Sequence, residues 1–311
     1  MDKAKKQKND IKEFMRDTSV EVTPRGARAI DNFSEILRPG TIVYVTFLPG
    51  SDFNTTVETV SRLKREGFHP IPHFAARSIA SEKILEQGLE RLKEEADITE
   101  ALLIGGGVDN PLGPFSASIE VLRTELFDKY GYKKIGVAGH PEGSPDISPQ
   151  ECAQAIQEKN DFSYHTDIDL YLATQFLFEA EPLFKWEKVI RDQGNKLPIH
   201  VGIPGLATIP TLMRHARQCG VGPSVRFLKK NPIDVLKMSL SNTPFGKFIN
   251  SPSSNPSKLI FDIVSGLARD RDCLINKCHL YPLGGLKKSI DWLYQIHDGN
   301  FSVASDDFFV N

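Results

Sequence analysis

The run Thr41-Ile42-Val43-Tyr44-Val45-Thr46-Phe47 decides the fold class. It is apolar or β-branched at almost every position. A strand with one wet face alternates apolar and polar residues. A continuous run reads instead as a strand covered on both faces, as in a parallel sheet wrapped by helices. Just upstream, Ser19-Val20-Glu21-Val22-Thr23-Pro24 reads as another short strand, ended by proline and carrying a carboxylate among apolar neighbours. Six further runs lie downstream, over 69–74, 100–104, 134–138, 170–176, 198–203 and 277–281. Between them the apolar residues fall at helical spacing, over 25–37, 55–66, 81–95, 118–130, 149–159, 182–193, from Ile209 onward, and over 286–297. Gly or Pro punctuates several of these boundaries, as at Pro39-Gly40 and Gly67.

Eight strands alternating with helices in one chain predict an α/β fold, a single (β/α)8 TIM barrel with extra helical and loop segments between the seventh and eighth strands. A doubly wound sheet is the rival. It would call for a GxGxxG turn after the first strand, which is absent. The expected division is a lead-in over 1–18, the catalytic barrel over 19–300 and a tail over 301–311. The stretch 244–257, rich in Pro, Ser and Asn, reads as a surface loop or lid.

Composition narrows the function classes. At 311 residues, with a formal net charge of -2, the chain has no global electrostatic pull toward nucleic acid or membrane. No apolar run is long enough to span a bilayer. Cys152, Cys219, Cys273 and Cys278 form no CxxC pair and no zinc-finger spacing, which fits free thiols in a reducing, cytoplasmic setting. The Lys-rich stretch over 1–12 lacks a signal-peptide core and reads as a solvated lead-in to a first helix.

In a barrel, chemistry gathers at the C-terminal ends of the strands. Those ends carry Glu21, Thr46, His73, Gly105 to Gly107 with Asp109, His140 and Glu142, Gln175, and His279 with Tyr281. Each alone has a bland reading: a surface Glu, a core His, a tight Gly turn, a capping Gln. Together on one face they read as a site. An enclosed carboxyl in such a strand is pushed by desolvation toward its protonated form and can donate that proton. No metal constellation, serine nucleophile elbow, Walker loop or strand-borne Schiff-base lysine is present. The remaining set suits a site in which an organic cofactor performs the difficult step.

These pieces, in this order, resemble the short, catalytic-barrel kind of methylenetetrahydrofolate reductase. The matching segments are Ser19 to Pro24, Val45-Thr46-Phe47, Pro72-His73-Phe74, Ile104 to Gly107, Val137 to Glu142, Lys159, Thr174-Gln175-Phe176, Gly202 to Gly205 and His279 to Leu283. The resemblance implies noncovalent FAD and reduction of 5,10-methylenetetrahydrofolate to 5-methyltetrahydrofolate, or the reverse, within one-carbon metabolism and methionine biosynthesis. It implies Glu21 as the acid at folate N10. It implies flavin contacts at Thr46, His73, Gly106, Gly107 and His140, with Lys159 near the pyrophosphate. Gln175, Tyr281 and Leu283 fall to the folate. NAD(P)H is the expected electron donor. The expected partners are a small-molecule folate and further copies of the chain.

The chain departs from the family pattern at several points. Gly107 stands where members often carry Asp, His140 where a Tyr is common, and Gly284-Gly285 where many have Asn-Arg, with Lys287 or Lys288 as substitutes. No match is found for the family's Phe on the seventh helix. Two alternatives stand beside this reading; the altered loops after the fourth and eighth strands keep the first open, and retention of Glu21 and Gln175 argues against the second. One is a folate-binding barrel serving a corrinoid methyl-transfer system. The other is a non-catalytic flavin- or folate-binding paralogue.

Overall fold

The computed structural model describes residues 3–48, 50–218 and 253–311. Eight parallel strands close into a barrel. They are β1 (Ser19–Val22), β2 (Ile42–Val45), β3 (His69–Ala75), β4 (Glu100–Ile104), β5 (Lys134–Gly139), β6 (Asp169–Phe176), β7 (Ile199–Pro204) and, after the short strands β8 (Ala207–Thr208) and β9 (Ser253–Ser254), β10 (Ile275–Tyr281). Around the barrel the order is β1-β10-β7-β6-β5-β4-β3-β2. The expected (β/α)8 barrel is therefore the observed one.

The strands read as continuous apolar runs because alternate residues fill two different cores. Val20, Val43, Val45, Leu103, Val137 and Leu172 pack outward against helices. Tyr44, Ile71, Leu102 and Tyr171 fill the bore instead. The helices carry their own start signals. Ser81 accepts from Ile84 N at 3.2 Å to open α4 (Glu82–Ala96). Ser148 and Glu151 form a reciprocal capping box at the start of α7 (Pro149–Ser163).

Two expected helices are broken. The stretch 25–37 holds only α2 (Pro24–Arg28) and a 3-10 turn at Phe33–Glu35. Asn32 caps that turn by accepting from Ser34 N at 3.0 Å, and Arg62 donates to the carbonyls of Ala27, Ile30 and Asp31. Side chains thus satisfy backbone groups that a continuous helix would have used. The stretch 118–130 is α5 (Ser118–Leu122) and α6 (Leu126–Lys129), separated at Glu125, whose φ is +57°.

The ends of the chain are structured. Helix α1 (Lys3–Met15) buries Ile11 and Met15, and the hairpin β11 (Phe301–Val303) and β12 (Phe308–Val310) buries Phe301 and Phe308 in the same core. Lys8 Nζ donates to Phe301 O at 2.6 Å. Of the stretch expected to be a lid, 244–252 lies outside the described residues. Ser253–Ser254 pairs antiparallel with Ala207–Thr208, and Ser257 opens a further helix, Ser257–Leu267. No helix among the described residues is long and apolar enough to cross a membrane.

Candidate active site

Glu21 sits one residue from the C-terminal end of β1 and is half-buried. Its register partner on β2 is Tyr44, and that of Ser19 on β10 is His279. Parallel register partners point to the same face, so the four side chains converge inside the barrel. His279 Nδ1 lies 2.8 Å from Ser19 Oγ, and its Nε2 lies 3.6 Å from a Glu21 carboxylate oxygen. Tyr44 and Tyr281 meet the His279 ring edge-on, with centroids at 4.6 and 4.7 Å. The Tyr281 hydroxyl donates to Thr174 O at 2.9 Å.

Above this corner lies an apolar shelf. Phe176, Phe178, Ala207, Leu212 and Ala216 form a small buried cluster, against which Tyr281 and Leu283 pack. Leu212 and Ala216 belong to helix α9 (Ile209–Gln218), which thereby overhangs the strand ends. The same helix carries His215. Burial and then Arg214 lower its pKa, while the charge of Glu21 pulls it up. Sequence reasoning missed His215, and no motif marks it. Gln175 is exposed, two residues beyond the bore-lining Ala173. There β6 carries an irregularity: Thr174 Oγ1 takes the Gly202 N–H at 2.9 Å, displacing a ladder bond.

The other half of the mouth is built by β2 to β5. Thr46 is buried just past β2, its N donating to Val22 O at 3.0 Å. His73 on β3 is buried, and its Nε2 has no hydrogen-bond partner among the described residues. Burial, then His279, pushes its pKa down to about 3. Gly106 has φ +91°, and a Cβ there would stand 3.1 Å from that of Ala75. Gly107 and Asp109 are exposed in the same loop. His140 comes directly after β5, and burial, then Lys159, brings its pKa to about 4. Lys159, from α7, is 3% exposed and donates to Ala138 O at 3.1 Å. Burial lowers its pKa to about 8, and among the described residues it forms no ion pair.

The candidate residues thus divide into two arcs. Thr46, His73, Gly106, Gly107, His140 and Lys159 belong to the consecutive strands β2 to β5, to the loops at their ends or to helix α7. Glu21, Gln175, Tyr281 and Leu283 belong to the arc of β1, β10 and β6. Of the two lysines expected to substitute after β10, Lys287 is exposed and pairs with Asp291 at 2.9 Å. Among the described residues no group of His, Cys, Asp and Glu could hold a metal ion. A cavity of about 490 Å³ lies away from the mouth, lined by Arg123, Asp128, Glu158 and Phe162. It holds none of the strand-end groups, so the barrel mouth is the candidate site.

Comparison with known proteins finds a partial match to a reductase. Methylenetetrahydrofolate reductase 1 of Schizosaccharomyces pombe is 29% identical over 104 residues, which is 33% of this chain and 16% of that protein. The chain therefore matches only about a sixth of that relative's length. No family profile matches. Among solved structures, a GH18 chitinase from Pseudoalteromonas aurantia superposes with TM-score 0.49 at 11% identity, over 91% of this chain and 100% of that one. A xylose isomerase domain protein from Planctomyces limnophilus gives 0.35 at 12% identity, over 91% and 95%. Likenesses of this extent say nothing of what this chain does.

Proposed function

We propose that the chain is an FAD-dependent barrel oxidoreductase that converts 5,10-methylenetetrahydrofolate to 5-methyltetrahydrofolate, with Glu21 as the acid at N10. The observation that carries this reading is the division of the mouth into two arcs, one offering groups for a flavin and the other an acid beside an apolar shelf. The partial likeness to the S. pombe reductase supports it.

The residues of β2 to β5 fit FAD. His73 Nε2 is an orphaned buried polar atom, which calls for a partner from a ligand. Lys159 is a buried cation that donates to a backbone carbonyl and, among the described residues, has no carboxylate in ion-pair range, which suits a diphosphate. Gly106 packs against Ala75, and its lack of a side chain lets a ligand come close to backbone. When bound, reduced FAD supplies hydride for the methylene carbon.

The protein's own part is proton transfer and positioning. Glu21 donates its proton to N10 of the folate. The bond between N10 and the methylene carbon breaks, leaving an N5 iminium on the substrate and a carboxylate on Glu21. With the Ser19 hydroxyl donating to Nδ1, the ring proton of His279 resides on Nε2 and faces that new carboxylate. The shelf of Phe176, Tyr281 and Leu283 offers the folate's aromatic portion an apolar surface and keeps water from the reacting carbon. Glu21 regains its proton from solvent after product leaves.

The test is spectroscopic. Purified protein should take up one FAD and show an oxidised-flavin spectrum. After anaerobic photoreduction, methylenetetrahydrofolate should restore that spectrum and yield 5-methyltetrahydrofolate. Protein that does not take up FAD, or reduced flavin that the folate leaves unchanged, would refute the proposal.

A further inference from the structure

Across the bore, the hydroxyls of Tyr44 and Tyr171 meet at 2.5 Å. Tyr44 is on β2 and Tyr171 on β6, strands that stand opposite each other in the eight-strand ring. The two side chains therefore form a bar across the barrel. Both are buried, and burial raises both phenol pKa values, so the pair is neutral.

The surrounding residues accommodate this bar. Gly136 on β5 faces it: a Cβ there would stand 2.6 Å from Tyr171 Cζ and 2.7 Å from its hydroxyl. A glycine in a strand weakens the strand, so its presence here makes room for the ring. Tyr171 is held from its other side by His200, stacked on it at 3.9 Å and 26°. His200 is kept neutral by burial and by Lys134 and Lys277, with a pKa near the bottom of the scale, about 2. Lys134 Nζ lies 4.9 Å from the centre of the Tyr171 ring.

At its other end the bar packs against the imidazole that faces the proposed acid. Tyr44 is the register partner of Glu21, and its ring meets the edge of His279 at 4.6 Å. Among the described residues the His279 ring has one hydrogen bond to fix it, between Nδ1 and the Ser19 hydroxyl. A single bond at one ring atom leaves rotation about that contact free, and Nε2 needs a second restraint to keep facing Glu21. Tyr44 on one side and Tyr281 on the other supply it.

We propose that the Tyr44–Tyr171 bar is a positioning device for His279: it fixes the imidazole in line with Glu21 and so sets how strongly the two groups sense each other's charge. Tyr171 acts only through Tyr44. Neither tyrosine is a catalytic residue. The inference rests on the proposed role of Glu21 only for its kinetic consequence, since the approach of His279 to Glu21 belongs to the protein without ligands.

The experiment measures that coupling directly. In ligand-free protein labelled with 15N-histidine, the His279 ring nitrogens are titrated by NMR, with and without Glu21→Gln. The difference in midpoint is the coupling. It should be resolvable in the native background and should fall by at least half in Tyr44→Phe and in Tyr171→Phe. The double variant should fall no further, because both substitutions break the same bond. Tyr132→Phe, which removes a buried hydroxyl without a partner elsewhere in the core, should leave the coupling unchanged. Thermal unfolding of each variant is followed in parallel. Lowered stability with unchanged coupling would assign the bar a purely structural role and overturn the proposal, as would a native coupling of zero. Failure of the folate reaction with the NMR coupling intact would instead refute the proposed function and leave the positioning role standing.

Discussion

His279 Nε2 stands 3.6 Å from the carboxylate of Glu21, too far for a hydrogen bond and close enough for an electrostatic contact, an ion pair only when the imidazole is protonated. That spacing suits a group that stabilises the carboxylate without holding it, leaving the acid free to turn toward a substrate nitrogen. Ser19, two residues earlier on the same strand, fixes the far side of the imidazole.

Glu21→Gln keeps the size and hydrogen-bonding capacity of the side chain and removes its acidic proton. We predict that the variant folds and binds FAD as the native protein does. Its flavin should be reduced by the same donor at the same rate. Reoxidation by methylenetetrahydrofolate should slow by ~10²–10⁴-fold, the usual contribution of a positioned general acid. Stopped-flow measurement of the two half-reactions separates these effects. Reoxidation within about threefold of native, small against that acid-catalysis range, would remove Glu21 from the chemistry.

Three enclosed histidines make the fold sensitive to acid. Burial holds His73, His140 and His200 neutral, with pKa values of about 3, 4 and 2, where secondary contributions come from His279, from Lys159, and from Lys134 with Lys277. Each titrates at about 6.5 once unfolded. Between the folded and unfolded values the unfolded chain binds more protons, so stability rises with pH. It is fully present above about pH 6.5 and is lost as pH falls toward the folded values. The limiting slope for three protons is about 4 kcal/mol per pH unit, an upper bound. Urea midpoints should therefore drop between pH 6.5 and pH 5. His200→Phe, which keeps a ring against Tyr171, should make that drop shallower. Equal midpoints at pH 7.5 and pH 5 would contradict this account.

The barrel was legible because strands such as Ile42–Val45 carry β-branched residues for two cores at once. The helix expected over 149–159 is likewise observed, opened by the Ser148–Glu151 capping box. Where reading failed, side chains had replaced backbone partners: Asn32 and Arg62 satisfy groups that the helix expected over 25–37 would have used. Strand order assigned Glu21, His73 and His279 to β1, β3 and β10 and His140 to the end of β5, as in the structure, and alternation along a strand fixes the face. They could not bring Nε2 of His279 to Glu21 or join Tyr44 to Tyr171. Those meetings depend on barrel closure and strand stagger, which no local pattern encodes. His215 was missed for a related reason: its approach to Glu21 comes from the tilt of α9 over the strand ends.

The Gly284-Gly285 pair has a steric origin. A Cβ at Gly284 would stand 1.9 Å from Leu206 O and 2.8 Å from Ala207 Cα, both backbone atoms. Gly285 has open space but a φ of +118°. Gly284→Ala should therefore cost roughly 3 kcal/mol or more, at or above the top of the usual overpacking range. Gly285→Ala carries backbone strain alone, about 1–3 kcal/mol. The ranking is read from thermal unfolding of the two variants. A Gly284→Ala protein that melts with the native one would show that the loop after β10 does not approach Leu206 this closely.

Lys159 gives the proposed flavin site a pH signature. Burial lowers its pKa from the ordinary lysine value to about 8, and the weaker pull of Cys152 and Glu158 does not make up for the lost hydration. A diphosphate placed beside the ammonium would favour its charged form, so binding and protonation are linked. Below about pH 8 the lysine is already charged and FAD binds at full strength. Above it, each unit of pH removes the charge from most free protein and weakens binding by up to about tenfold. The effect ends once pH passes the raised pKa of the complex. Without flavin the linkage runs the other way for folding. Raising pH from 8 toward the unfolded lysine value relieves a buried charge and adds stability. Lys159→Met should abolish the pH dependence of FAD binding between about pH 7 and 9.5 and leave the affinity at the weak, high-pH level throughout. Fluorescence titration of apoprotein with FAD across that range measures it. A native affinity that does not change over those pH values would place the diphosphate away from Lys159, whatever the fate of the Glu21 chemistry.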